Sequence, residues 1–158
     1  MKKRVCLMLI AILLPGCCAA AEQAVILPNS HYEVLVPDWM DYSDPVDGDQ
    51  GVEAYVSKDL EMNYISYTRE QAAERGLKDT LKESARFLKE SGTKAELRKV
   101  QGVEMLCYRV QDPADDAPCV GYVFVDGDWL IEVDFWYATQ EAADTAKTIM
   151  ETIREVQE

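Results

Sequence analysis

Two carboxylates, Glu132 and Asp134, stand two residues apart in the run WLIEVDFWY. In an extended strand that spacing puts both on one face, where a carboxylate pair could do general acid–base work. The plain alternative is the polar side of an amphipathic strand. His31 is the only histidine, and it lies close to the start of the folded part, where chains fray. No GxSxG, HExxH or phosphate-cradling glycine loop occurs in the chain. Four further oxygen donors, Asp44, Asp47, Asp49 and Glu53, could serve Ca²⁺, with Gly48 and Gly51 allowing tight bends. Their order lacks the alternation of an EF-hand, and the plain reading is a solvated turn. Trp39, Tyr42 and Trp136 could form an exposed aromatic patch for a partner, or cap the edge of the core.

Five cysteines are present: Cys6, Cys17, Cys18, Cys107 and Cys119. Cys107 and Cys119 flank a turn-rich segment, QDPADDAP. If their strands pair antiparallel in a suitable register, the sulfurs reach bonding distance on one face. Otherwise they are two buried thiols. Their spacing is not that of a zinc site, and no cofactor is expected.

The first 21 residues read as an address. Lys2, Lys3 and Arg4 precede the apolar run VCLMLIAILL, then Pro15 and Gly16 break it and small residues follow. That order is a secretory signal peptide, and the run is short of the about 20 residues a spanning helix needs. Two cleavage sites compete. Ala19-Ala20-Ala21 suits ordinary signal peptidase. Leu14-Pro15-Gly16-Cys17 resembles a bacterial lipobox, with Cys17 as the acylated residue, although Pro15 departs from the usual small residue. Acylation would tether the domain to a membrane.

Residues 22–158 are then one domain. The whole chain of 158 residues carries 16 basic and 29 acidic side chains, a net −13. The leader takes three basic residues with it, so the remainder holds 13 basic against 29 acidic. Such a chain repels phosphate backbones, which argues against nucleic-acid binding. The ordinary apolar fraction, 48%, excludes disorder.

Periodicity supplies the elements that position these residues. Tyr32 to Asp38 reads as a strand ending at proline, and Trp39 to Gly51 as a loop. Val52–Ser57 and Met62–Tyr67 read as strands. Thr68-Arg69-Glu70-Gln71 is a capping box, Gly76 interrupts, and Leu77 to Ser91 has helical period with Gly92 as a stop. Lys94–Val100 and Val103–Val110 flank a Gln101-Gly102 turn. Cys119–Val125 and Trp129–Tyr137 flank Asp126-Gly127-Asp128. A last helix, capped by Thr139, carries Ala142, Ala146, Ile149, Met150, Ile153 and Val156 as its apolar stripe. The expected fold is α+β: a single antiparallel sheet of about six to seven strands, packed by a middle helix and a C-terminal helix.

The stretch YEVLVPDWMDYSD, the hairpin VQGVEMLCYRV and the closing order of strand, Asp-Gly turn, aromatic strand and Thr-capped helix resemble the PsbP/Mog/DcrB-like superfamily. The similarity spans nearly all of Tyr32 to Val156; the acidic loop Asp41 to Asp49 departs from it. The resemblance implies an exported, non-catalytic binding or accessory module of the bacterial cell envelope. Its expected partner is an envelope protein, with the membrane reached through an acyl chain on Cys17. The competing readings are a small-ligand or Ca²⁺-binding extracytoplasmic domain and an envelope enzyme using surface carboxylates.

Overall fold

The structure, a computed structural model, describes residues 21–43, 52–111 and 117–157. The strands are β1 (Glu22–Ile26), β2 (Tyr32–Pro37), β3 (Asp41–Ser43), β4 (Glu53–Val56), β5 (Leu60–Thr68), β6 (Lys94–Val100), β7 (Val103–Gln111), β8 (Pro118–Asp126), β9 (Trp129–Tyr137) and β10 (Arg154–Glu155). The helices are α1 (Arg69–Glu74), α2 (Leu81–Glu90) and α3 (Gln140–Glu151).

Alternating sequences and tight turns dictate the main sheet. It has seven strands in the order β3-β4-β5-β9-β8-β7-β6, every neighbouring pair antiparallel. Gln101 and Gly102, at φ 49° and 88°, make the two-residue turn between β6 and β7. Both central residues are left-handed, the geometry that matches strand twist. The α+β expectation holds, with seven strands in the sheet.

A second, three-stranded sheet in the order β1-β2-β10 accompanies it. The strand read at Tyr32 to Asp38 belongs there, not to the main sheet. Its extra members are short. β1 buries only Val25, and β10 is two residues paired to Glu33 and Tyr32. The last helix therefore stops at Glu151. Ile153 is buried beyond its end, and Val156 donates its backbone N–H to His31 O at 2.8 Å.

Each face of the main sheet has its own cover. On one face Ile131, Val133 and Phe135 of β9 meet Phe124, Tyr122 and Val120 of β8 in register. α3 and the small sheet close over them with Ala142, Ala146, Ile149, Met150, Val34 and Val36. Thr139 caps α3 by accepting from the Ala142 N–H. On the opposite face Leu106, Val123, Leu130 and Tyr67 pack under Ala72 of α1 and Ala85 of α2. The middle helix is thus two helices. The capping box at Thr68 starts α1, Gly76 at φ 87° ends it, and Thr80 caps α2 anew. Among the described residues, no helix is long and apolar enough to cross a membrane.

Candidate functional site

β9 carries Glu132 and Asp134 on the α1/α2 side of the sheet, as the strand alternation requires. Ile65 of β5 and Val123 of β8 flank Glu132, while Asn63 and Gly121 flank Asp134. Both oxygens of Glu132 are taken. Tyr67 donates its hydroxyl at 2.9 Å and Tyr108 donates at 2.5 Å. Asp134 accepts from the Trp136 indole N–H at 2.8 Å, and the Cys119 sulfur lies 4.0 Å away.

A glycine makes this arrangement possible. Tyr108 crosses from β7 over Gly121 of β8 to reach Glu132 on β9. A Cβ at position 121 would fall 2.1 Å from the tyrosine Cζ. An isolated glycine inside a strand signals such a close approach, and it is the one sequence feature that could have pointed to Tyr108. Tyr67 carries a second tie, because the Arg75 guanidinium stacks 4.6 Å from its ring centroid. The carboxylate thus joins β5, β7, β9 and the end of α1.

Burial sets the electrostatics. It pushes the Tyr67 and Tyr108 hydroxyls well above the ordinary tyrosine range, and the Glu132 charge adds to this. Both hydroxyls therefore stay protonated as donors. Burial, then the neighbouring Glu132, raises Asp134 to about 6, against the pull of Trp136 and Asn63. A carboxyl in that range could exchange a proton near neutrality. No nucleophile stands activated beside it: burial, reinforced by Asp134, pushes the Cys119 thiol up to about 12.

Other residues singled out by the sequence lie apart. Cys107 and Cys119 are both free and buried. The β7–β8 register pairs Cys107 with Tyr122 and Cys119 with Val110. Their positions are offset by an odd number, so the thiols emerge on opposite faces and the disulfide does not form. Cys17, Asp44, Asp47 and Asp49 lie outside the described residues. Glu53, the last of the four oxygen donors, accepts the Tyr64 hydroxyl at 2.9 Å on the α3 face. Among the described residues, no group of three or more metal-ligating side chains assembles.

The aromatic trio does not form one patch. Tyr42 and Trp39 are half exposed. Tyr42 lies edge-on to Tyr55 at 5.6 Å on the α3 face, whereas Trp136 shares the opposite face with Asp134. Trp39 sits in the turn before β3, beside Leu60 and the start of α3. His31 pairs with Asp126 at the β8–β9 hairpin, Nδ1 to Oδ2 3.0 Å, and its backbone N–H donates to the same carboxylate.

The solution structure of cyanobacterial PsbP (CyanoP) from Synechocystis sp. PCC 6803 superposes with a TM-score of 0.51 at 17% identity. The match covers 90% of this chain and 97% of that one. The fold is PsbP-like. A crystal structure from Bacteroides thetaiotaomicron VPI-5482 matches with a TM-score of 0.53 at 14% identity, over 81% of this chain. This chain spans 46% of that larger protein. No family model and no curated protein sequence matches. Identities this low establish the PsbP-like fold and leave the site to be argued from its own residues.

Proposed function

We propose that the protein is an exported, lipid-anchored, non-catalytic binding or accessory module of a bacterial envelope, in the PsbP/Mog/DcrB-like superfamily. The observation that carries the non-catalytic reading is the state of Glu132. Both its oxygens are bonded to tyrosine hydroxyls of the framework, which leaves the carboxylate as a strut between strands. A general base must instead be placed to reach a substrate proton, and the two hydroxyls hold this carboxylate within the framework. The PsbP-like fold supports the accessory reading. The basic, apolar and small-residue order of the leader supports export, and Cys17 supports anchoring.

The test is expression of the full chain in an exporting bacterial host fed a labelled fatty acid. Label should appear on the protein, which should sediment with membranes, and Cys17→Ser should abolish both. Cross-linking in intact cells should then enrich an envelope protein over a charge-matched exported control. Label that survives Cys17→Ser, or no enrichment, overturns the corresponding half of the reading.

A further inference from the structure

The acid excess of the chain conceals a local reversal. Between positions 86 and 109 there are six Lys or Arg and three Asp or Glu. β6 and β7 turn this stretch into a surface. On the α3 side, at the β6 edge of the main sheet, three strands form a grid. One row is Lys94, Arg109 and Val120, and the next is Glu96, Cys107 and Tyr122; Arg98 lies one step further along β6. These residues, with Lys89 of α2, line an open cleft of about 440 Å³, within the usual range for small-molecule sites.

Three features of the cleft converge. First, its floor is apolar: Val120, Tyr122 and Cys107 are buried. Secondly, Arg98 and Arg109 both bear on the floor. Burial raises the Cys107 thiol to about 11, and each of the two guanidiniums opposes that rise. Both likewise oppose the rise of the Tyr122 hydroxyl. Thirdly, Lys94 and Arg109 stand directly opposite each other on β6 and β7. Like charges so placed destabilise a sheet, and among the described residues neither has an acidic partner. Glu96 is the only anion on the lining, and it pairs with Arg98.

We propose that this cleft binds a small organic dianion, a phosphate monoester with an apolar body. The phosphate would bridge Lys94 and Arg109, within reach of Arg98, and the body would lie on Val120 and Tyr122. Guanidinium forks suit planar or tetrahedral oxyanions, and a monoester carries close to two charges at neutral pH. A bound dianion also relieves the repulsion between Lys94 and Arg109. The assignment does not depend on export or on an acyl anchor.

Calorimetric titration of the full chain with phenyl phosphate at pH 7.5 tests it, with inorganic phosphate and phenol as partial probes. Phenyl phosphate should saturate one site and bind at least tenfold more tightly than either fragment. Arg109→Gln or Arg98→Gln should weaken binding at least tenfold, whereas Lys147→Gln, on exposed α3, should change it less than twofold. These side chains are exposed, and melting temperatures no lower than the parent's would show that the fold of the variants is intact. Lys94→Gln offers a second, ligand-free reading: it should raise the melting temperature of the apo protein while weakening phenyl phosphate. Absence of saturable binding, or equal weakening by Lys147→Gln, overturns the site. Binding of inorganic phosphate as tight as phenyl phosphate overturns the role of Val120 and Tyr122.

Discussion

Asp134 is the residue whose titration the fold changes most usefully. Its carboxyl is raised from 3.8 to about 6 by burial and by the adjacent Glu132. The folded state therefore holds the proton more tightly than the unfolded state. Between about pH 4 and pH 6 the native form binds more protons, so this group's contribution to stability falls as pH rises through that window. The loss is on the order of 3 kcal/mol by the linkage relation. Asp134→Asn keeps an acceptor for the Trp136 indole and removes the charge. The variant should match the parent near pH 4 and exceed its stability by about 1–3 kcal/mol at pH 7.5. Urea melts at both pH values check this, and equal stabilities at pH 7.5 would refute it. Gly121 makes a second residue-level case. Alanine there drives a Cβ to 2.1 Å from the Tyr108 ring, so Gly121→Ala should cost about 1–3 kcal/mol. In a Tyr108→Ala background the same substitution should cost much less. A double-mutant cycle with no coupling would show that the ring is not what the glycine accommodates.

At the scale of elements, turn chemistry and alternation make the central strands and caps legible in the sequence. Asp126-Gly127, Gln101-Gly102, Thr68 and Thr139 each mark a boundary because a specific φ or a side-chain acceptor is needed there. The pieces that were not legible are those with little to bury. β3 has no buried residue and β10 is two exposed residues; both exist because a neighbouring strand offers an unpaired edge. Register is a further quantity that pattern does not carry. Whether Cys107 faces Cys119 depends on how the chain turns between Gln111 and Pro118, and the pairing Gln111↔Pro118 sets the odd offset. The site's tyrosines were hidden for the same reason, since Tyr67 and Tyr108 meet Glu132 only through strand order. The register has a direct consequence. Cys107 and Cys119 should both react with an alkylating agent in denaturant without prior reduction, and both should resist it in the native state. Mass spectrometry reads the count of adducts. A native protein carrying a bridge between these two would require a different β7–β8 register.

Across the whole molecule, charge is distributed so that its sum and its arrangement say different things. Residues 22–158 hold 29 acidic and 13 basic side chains, so the compact state works against self-repulsion. Four of the 13 cations, Lys94, Arg98, Lys99 and Arg109, stand on β6 and β7, where Lys94 and Arg109 repel each other. The exposed ion pairs, such as Lys147–Glu151 at 3.5 Å, each contribute at most about 1 kcal/mol. Net repulsion should therefore outweigh net attraction among surface charges. Screening must then stabilise the fold. Raising ionic strength from about 0.01 M to 0.15 M shortens the Debye length from about 30 Å to about 8 Å, well inside the span of the domain. The melting temperature should rise over that range with NaCl and with NaF alike. A specific phosphate effect would appear as a further rise at constant ionic strength, abolished by Arg109→Gln. A melting temperature that falls with salt would mean that attractive pairs dominate. The acid excess would then be locally neutralised, and the basic cleft would lose its standing as the exception on an otherwise repulsive surface.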